Sequence, residues 1–511
     1  MPERDRRIVI IGSGFAGLCL GIQLRRAGIG SFTILEKADR LGGTWRDNTY
    51  PGAACDTPAF SYCFSFEQKT DWSRKWAPQP EILGYLGHCA RKYGLLPHIR
   101  FGTEVASARF DEGAALWRVR TSAGEELEAE VLVSAVGQLN RPSVPELPGL
   151  EAFRGPKFHS ARWNHAVDLS GKAVAVVGNA ASAIQFIPRI APRVGRLLVF
   201  QRSANWMIPR FDRAYTESEK ARFARHPGLA RLYRWWIWAT HESRWPIFRG
   251  QELLRRRFQG LAEGYMRGIV SDRSLQEALV PDYPIGGKRI LISDDYYQAL
   301  GRPNVEVVTS GIERLTEDAI VTRDGTRRAV DVVILGTGFE STSFLAPLRI
   351  EGQGGRSLHD EWKDGARAYL GISVAGFPNL FLMYGPNTNL GHNSIIFMIE
   401  CQTRYVLECI RALRERDLAW LDVRRDVMDA WDARLQQELA RTVWAATGKS
   451  WYKTEAGRIT NNWSSSTIRY WWKTRRPDLG AYLQVARPAG RGAEASPQPP
   501  DAAAPEAVAA T

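Results

Sequence analysis

A glycine-rich turn that follows a short apolar run constrains the fold of this chain more than any other feature. Residues 8–11 (IVII) are typical of a buried parallel strand, and residues 18–26 have helical character. Between them, G-x-G-x-x-G places backbone N–H groups and a helix dipole where they can hold a pyrophosphate. The pattern predicts an α/β fold, with a dinucleotide bound by Gly12, Ser13, Gly14, Ala16 and Gly17.

An acidic residue strengthens this prediction. Residues 31–36 (SFTILE) form a second predicted strand, which ends in Glu36 about twenty residues after the turn. A carboxylate in that place binds ribose hydroxyls, so it suits FAD or NAD and disfavours a 2′-phosphate. The alternative is a purely structural Rossmann unit without a ligand.

A second, degenerate turn of the same kind follows residues 173–177 (AVAVV). It has the form G-x-A-x-x-A, and we expect Gly178, Asn179, Ala180, Ser182 and Ala183 to bind a second nucleotide. The next predicted strand, residues 196–200, ends in Gln201-Arg202-Ser203 without an acid. Arginine and a hydroxyl suit a 2′-phosphate, so this turn predicts NADP.

Two further motifs accompany the turns. Residues 42–56 contain Gly-Gly-Thr-Trp, then Tyr-Pro-Gly, then Asp56, whose carboxylate in an apolar loop predicts a cationic partner. Residues 153–163 (FRGPKFHSARW) have the form F-x-G-x-x-x-H-x-x-x-W and lie between the two nucleotide-binding turns. The second motif is either a surface connector or a linker that responds to both domains.

Composition and charge narrow the class of protein. The 511 residues carry a net charge of +13, which fits a basic enzyme with polyanionic cofactors, a membrane surface or a nucleic-acid partner, but no nucleic-acid module is present. No run of about eighteen apolar residues and no signal peptide is found. Six cysteines without C-x-x-C or metal spacing predict reduced thiols, a cytoplasmic location and no metal site.

Three more segments leave alternatives open. Residues 212–280 are helical in composition and rich in Arg and Trp, so they either line a substrate cleft or touch a membrane surface. Lys288 and Arg289 are adjacent cations that form either a solvated pair or part of a site. A helix is predicted to start near Ser394, and the preceding His392 is either a pocket residue or a loop histidine.

Taken together, these motifs resemble the flavin-dependent Baeyer–Villiger monooxygenases, which use FAD and NADPH. The resemblance covers roughly residues 7–483 and includes both family fingerprints, namely the 42–56 motif and Phe153, Gly155, His159 and Trp163. N-hydroxylating flavin monooxygenases usually end the second fingerprint in Tyr or Phe, so Trp163 favours the Baeyer–Villiger enzymes. Asn164 and the loop at residues 385–389 depart from the common pattern, and this loop is similar to the branch that accepts aryl or open-chain ketones.

The resemblance implies a role for individual residues. Arg289 would be the active-site arginine, Asp56 its carboxylate partner, and Lys288, Arg202 and Ser203 would hold the 2′-phosphate. His159 would belong to a linker that couples nucleotide binding to domain rotation. Non-covalent FAD would be contacted by Glu36, Gly43, Thr44, Trp45, Asp56, Tyr62, Val105 and, at the start of the predicted helix, Ile395.

The implied reaction inserts one oxygen atom from O2 next to a ketone carbonyl, through a flavin peroxide, to give an ester or lactone. Arg289 would favour the peroxide anion. Alternatives are a flavin-containing N- or S-oxygenase and a non-catalytic flavoprotein or redox sensor. We expect a small ketone and O2 as partners, no nucleic acid, no integral membrane segment, and a monomer or homodimer.

The same resemblance predicts two Rossmann-like domains with a helical insertion. The FAD-binding domain would comprise residues 1–145 and 331–486, and the NADP-binding domain residues 146–211 and 281–330. The helical insertion would be residues 212–280, and residues 487–511, rich in Ala, Pro and Gly, would form a disordered tail.

Overall fold

The computed structural model describes residues 6–448 and 450–487. Apart from Arg487, the predicted disordered tail lies outside the described residues. In chain order the first elements are β1 (Ile8–Ile11), α1 (Phe15–Arg26), β2 (Phe32–Leu35), α2 (Thr44–Asp47), α3 (Gln79–Lys92), β3 (Ile99–Arg100), β4 (Val105–Asp111), β5 (Leu116–Thr121), β6 (Glu126–Ala129) and β7 (Val131–Ser134).

The middle of the chain alternates again between strands and helices. It contains β8 (Lys157–His159), β9 (Ala173–Val177), α4 (Ala183–Ile190), β10 (Arg196–Phe200), β11 (Met207–Ile208), α5 (Glu217–Arg225), α6 (Pro227–Glu242), α7 (Trp245–Phe248), α8 (Glu252–Arg267), α9 (Arg273–Ala278), β12 (Leu291–Ile292), α10 (Tyr296–Leu300), β13 (Val305–Val308), β14 (Ile312–Leu315), β15 (Ala319–Thr322), β16 (Arg327–Ala329) and β17 (Val332–Leu335). Residues 212–280, rich in Arg and Trp, thus contain the helices α5 to α9.

The last part of the chain is mainly helical. Its elements are β18 (Arg349–Glu351), α11 (Leu358–Glu361), β19 (Leu380–Leu382), α12 (Ile395–Glu415), β20 (Leu418–Val423), α13 (Arg425–Leu439), α14 (Val443–Ala446), α15 (Thr467–Thr474) and β21 (Tyr482–Ala486). The long helix α12 packs against both α1 and α15. In the described ranges, none of the helices has the length and apolar character needed to cross a membrane.

The first sheet is parallel, with strand order β19-β7-β1-β2-β3. All four residues of β1 are buried, and β2 and β7 flank the strand on its two sides. A strand buried on both faces needs an apolar side chain at every position, which explains the unbroken IVII run. The predicted α/β fold class is confirmed.

The second sheet is also parallel, with the order β13-β10-β9-β17-β8. The predicted domain boundary at residue 331 is wrong, because β17 pairs with β9 and β8 of this second sheet rather than returning to the first. The apolar run of β17 suits the interior of either sheet, so its composition does not select one. The chain returns later, when β18 pairs with β4 and β19 joins β7.

Candidate active site

A cavity of about 1060 Å³ is lined by residues of both glycine-rich turns. Of the residues predicted from sequence, the cavity wall includes Gly12, Ser13, Gly14, Ala16, Glu36, Gly43, Thr44, Trp45, Asp56, Tyr62, Val105, Ala180, Ser182, Lys288, Arg289 and Ile395. It does not include Gly17, Gly178, Asn179, Ala183, Arg202 or Ser203. Folding therefore brings together predicted residues that are as much as 383 positions apart in sequence, from Gly12 to Ile395.

The first turn is built for close backbone approach. Gly12 has a φ of +103°, and a Cβ on Gly17 would lie 1.9 Å from the Gly12 carbonyl oxygen, so both positions require glycine. Gly14 and Gly43 face one another, and a Cβ on Gly43 would lie 3.4 Å from the Gly14 Cα. The cavity wall here is bare backbone beside the N-terminus of α1, which is a suitable surface for a pyrophosphate.

The Glu36 carboxylate lies at the end of β2 and is buried. Its Oε2 accepts hydrogen bonds from Ser13 N at 3.0 Å and Ser13 Oγ at 2.7 Å, and its Oε1 accepts one from Arg46 at 2.8 Å. Arg46 directly follows the Gly-Gly-Thr-Trp motif, but no pattern in the sequence predicted it as a partner of Glu36. Burial opposes the charge of Arg46, but Asp47 and Glu36 together raise its pKa.

Aromatic and helical groups form the next part of the wall. The Trp45 indole donates a hydrogen bond of 3.2 Å to the Tyr62 hydroxyl, and their rings make a T-shaped contact. The helix predicted near Ser394 is present as α12, and the Ser394 hydroxyl accepts a hydrogen bond from Ile396 N at its first turn. The positive end of this helix dipole lies at the cavity, since Ile395 lines it.

Arg289 and Asp56 form an ion pair inside the cavity. Both side chains remain partly exposed to it, with 34% and 28% of their surfaces accessible. Burial opposes the positive charge of Arg289, yet the adjacent Asp56 carboxylate outweighs it and raises the pKa of the guanidinium. The cation that the Asp56 motif predicted is therefore present, 233 positions further along the chain.

Two further cavity residues, Tyr384 and Asn389, were not predicted from the sequence. The Tyr384 hydroxyl donates a hydrogen bond of 2.7 Å to Asn389 Oδ1, and Asn389 Nδ2 donates one of 2.8 Å to Asn462 Oδ1. Burial raises the pKa of Tyr384, so this hydroxyl stays protonated as a donor. The unusual loop at residues 385–389 was the only sequence signal, and it did not point to particular side chains.

A second cationic region lies next to the second turn. Lys288 Nζ donates a hydrogen bond of 3.0 Å to Ser203 Oγ, and burial together with the nearby charge of Arg202 lowers the pKa of Lys288. Asn179 Nδ2 donates to Gln201 Oε1 and to the Ser203 carbonyl oxygen, both at 3.0 Å. These hydrogen bonds connect the end of β10 to the second glycine-rich turn. Arg202, between Gln201 and Ser203, is exposed.

The connector at residues 153–163 is part of the second sheet, to which it contributes β8. Phe153 is buried in a core cluster, and a Cβ on Gly155 would lie 2.2 Å from the Asp331 carbonyl oxygen. His159 ends β8, and its Nδ1 accepts a hydrogen bond of 3.0 Å from Ala161 N. Trp163 packs against Phe186 of α4. Each fingerprint residue thus has a packing role in this unit.

His392 is buried in a loop, and it does not line the cavity. Its Nε2 lies 3.4 Å from Glu242 Oε2 at the end of α6, and its ring contacts Trp245 and Phe248. The alternative that placed His392 in the pocket is not what the structure shows.

Comparisons with known proteins agree with this architecture. The pyridine nucleotide-disulphide oxidoreductase family matches residues 9–216. A Baeyer–Villiger monooxygenase of Streptomyces coelicolor is 43% identical over 485 residues, which is 94% of this chain and 93% of the relative. An oxidized steroid monooxygenase bound to NADP superimposes with a TM-score of 0.85 at 31% identity and 95% and 100% coverage of the two chains. An OTEMO complex with FAD and NADP gives a TM-score of 0.85 at 25% identity and 94% and 100% coverage. The chain belongs to the Baeyer–Villiger monooxygenase family.

Proposed function

We propose that this protein uses FAD, NADPH and O2 to insert one oxygen atom next to a ketone carbonyl, which gives an ester or a lactone. The observation that carries the proposal is the Arg289–Asp56 ion pair, which lies in one cavity with residues of both glycine-rich turns. Such a cavity can bring a ketone, a flavin and a nicotinamide to a fixed cation.

The first turn and its surroundings fit non-covalent FAD. The facing glycines Gly14 and Gly43 leave bare backbone for the pyrophosphate, Glu36 stands at the ribose end, and the N-terminus of α12 can accept the flavin ring. When bound, FAD reduced by NADPH supplies the activated oxygen atom from O2. The remaining contacts would come from Gly12, Ser13, Ala16, Thr44, Trp45, Asp56, Tyr62, Val105 and Ile395.

The second turn would hold NADPH. Gly178, Asn179, Ala180, Ser182 and Ala183 would form the phosphate turn at the N-terminus of α4, although Ala180 replaces the glycine that gives the closest approach. The 2′-phosphate would be bound next to it by Lys288, Arg202 and Ser203, since a hydrogen bond already joins Lys288 to Ser203 and Arg202 is exposed alongside.

Arg289 would act on the reacting oxygen atoms as a permanent cation. Its guanidinium cannot lose its proton near neutral pH. Burial opposes the positive charge of Arg289, but the Asp56 carboxylate outweighs this effect and raises the pKa. N–H groups of Arg289 would donate hydrogen bonds to the negative charge that develops on the ketone oxygen. A preorganised donor of this kind contributes about 3 kcal/mol to transition-state binding. Asp56 would keep the guanidinium in position.

Arg289→Ala tests the proposal directly. We expect ester formation to fall by about a hundredfold or more, because the positive charge at the reacting oxygen atoms is lost. Reduction of the bound flavin by NADPH, followed by its absorbance, should continue. Arg189→Ala is the control, because it removes an arginine that pairs with Asp295 outside the cavity. Near wild-type ester formation by Arg289→Ala would contradict the assigned role.

Product identity tests the reaction class itself. The purified flavoprotein is supplied with NADPH, air, an aryl ketone, a long-chain ketone, a thioether and a tertiary amine, and the products are identified by mass spectrometry. We expect esters. Only sulfoxide or N-oxide would show that the protein is an S- or N-oxygenase instead.

The cysteines support a cytoplasmic location. All six are unpaired and buried, and burial raises the pKa of the Cys19 thiol. Reduced thiols are typical of proteins that work in a reducing compartment. The monomeric or homodimeric state stays a prediction, to be measured by analytical ultracentrifugation.

A further inference from the structure

Helix α6 of the Arg- and Trp-rich segment exposes large apolar side chains. Leu232, Trp235 and Trp236 lie on its outer face, because residues three and four apart project from the same side of a helix. Trp235 is 60% exposed, whereas Ala230 and Ile237 on the opposite face are buried. Exposed tryptophans have an apolar ring to bury, so this face points to a partner.

Helix α15 is hydrogen-bonded to α6 and also exposes large apolar side chains. The Trp238 indole donates a hydrogen bond of 3.1 Å to Thr467 Oγ1, which joins the second half of α6 to the first turn of α15. The next residue, Ile468, is exposed, and Trp472, one turn further on, is 61% exposed. We use the name α6–α15 surface for Leu232, Trp235, Trp236, Ile468 and Trp472.

Cations flank the α6–α15 surface. The guanidinium of Arg475 lies 5.3 Å from the ring centroid of Trp472, and Arg231 is exposed on α6 beside Leu232. Within residues 6–448 and 450–487, neither arginine has a carboxylate partner within 4.0 Å. The segment 212–280 holds thirteen Arg or Lys against eight Asp or Glu, so the charge around the surface favours an anionic partner.

We infer that the α6–α15 surface docks on an anionic lipid membrane, with α6 lying in the plane of the interface. Tryptophan is enriched where hydrocarbon meets headgroups, and arginine binds lipid phosphates. A helix with leucine and tryptophan on the outer face and arginine at its edge is typical of such interfacial segments. A second copy of the chain is disfavoured, because a two-fold pairing would place two surfaces that each carry exposed arginines against one another.

Vesicle sedimentation tests this inference with the FAD-loaded full-length enzyme. Vesicles of phosphatidylcholine alone are compared with vesicles of equal parts phosphatidylglycerol and phosphatidylcholine. We expect sedimentation with the anionic vesicles, less with the neutral ones, and release by salt. Trp235→Ser combined with Trp236→Ser should weaken vesicle partitioning by about tenfold or more, because two interfacial anchors are lost. Arg231→Gln should weaken binding to anionic vesicles only.

The matched control is Leu483→Ser, which removes an apolar side chain that is 53% exposed on β21, a strand that pairs with β20. This control should sediment like the wild type, and NADPH oxidation by every variant should be unchanged, which shows intact folding. The inference is overturned if the wild type binds neither vesicle or if the double variant binds as well as the wild type. Gel filtration that shows a dimer for the wild type and a monomer for the double variant, without vesicle binding, would identify a self-association surface and overturn it as well.

Discussion

Arg289 illustrates what one residue requires from its surroundings. A cation in a partly enclosed cavity loses hydration, and Asp56 compensates for that loss while it restricts the orientation of the guanidinium. Tyr384 and Asn389 complete the polar part of the same wall. The chemistry proposed for this site therefore depends on a pair of charges rather than on one side chain.

Selection between NADPH and NADH belongs to the same scale. Arg202→Ala should raise the Michaelis constant for NADPH by about tenfold or more while that for NADH changes little, because only NADPH has the 2′-phosphate. Initial rates of flavin reduction with each nucleotide measure the effect. Arg193→Ala is the control, because this exposed arginine pairs weakly with Asp168 at the edge of the same unit. An equal change for both nucleotides would contradict the assignment.

At the scale of elements, the connector strand β8 shows how a fingerprint motif serves packing. Gly155→Ala would place a Cβ 2.2 Å from the Asp331 carbonyl oxygen and 2.7 Å from the Phe153 ring. We expect a loss of about 1–3 kcal/mol in the free energy of unfolding, measured by urea titration. Gly264→Ala in α8 meets no atom within 4 Å and should instead stabilise the helix by about 0.5–1 kcal/mol. Equal free energies of unfolding for the two variants would show that the structure accommodates the added Cβ at position 155 without cost.

A buried carboxyl on β20 makes stability depend on pH. Burial raises the pKa of Asp422 from 3.8 to about 6, although Gly376 N donates to it. The folded state therefore binds the proton of Asp422 more tightly than the unfolded chain does. The stability that comes from this tighter binding is fully present below pH 3.8 and is lost as pH rises through about 6. As pH rises from 4 to 7, the free energy of unfolding of Asp422→Asn should increase by up to roughly 3 kcal/mol relative to that of the wild type.

Chemical denaturation at several pH values measures this difference between variant and wild type. Asp426→Asn is the control, because its carboxylate is exposed and pairs with Arg424 at the start of α13. A difference that does not vary with pH for Asp422→Asn would contradict the proposed cause.

At the scale of the molecule, the cavity exists because two nucleotide-binding units meet. Gln185 of α4 connects them: its Nε2 donates to the Ala54 carbonyl oxygen, and its Oε1 accepts from Ala54 N and from the Tyr50 hydroxyl, all at 3.1 Å. The loop that it holds carries Asp56 two residues later. The position of the Arg289 partner thus depends on contact between the units.

Gln185→Leu should loosen this contact, because it leaves Ala54 N–H and C=O unpaired. We expect more NADPH to be oxidised per ester formed, since the site closes less well around the cofactors, and a melting temperature lower by a few degrees. Product yield and NADPH consumption are measured together. Gln276→Leu is the control, because the side chain of Gln276 bonds to residues of its own helical segment: its Nε2 donates to Val270 O and its Oε1 accepts from Arg267. Unchanged coupling in Gln185→Leu would show that Gln185 does not maintain the site.

Local patterns alone were enough to predict much of this architecture. The first turn, β2 with Glu36, the degenerate second turn and the start of α12 all follow from a few adjacent residues, because strand, turn and helix termini depend on local backbone geometry. Asp56 in an apolar loop also predicted a cationic partner, because a buried charge requires one.

Other features were decided only by the tertiary structure. The composition of β17 suits either sheet, and only its pairing with β9 and β8 assigns it to the second. Arg46, which donates to Glu36, and Tyr384, which donates to Asn389, line the cavity only because the chain folds around it. The Arg- and Trp-rich segment could have faced inward or outward, and only the folded chain shows that tryptophans of α6 and α15 are exposed and that a hydrogen bond joins the two helices. Local sequence determines which elements form, whereas long-range packing determines which side chains meet.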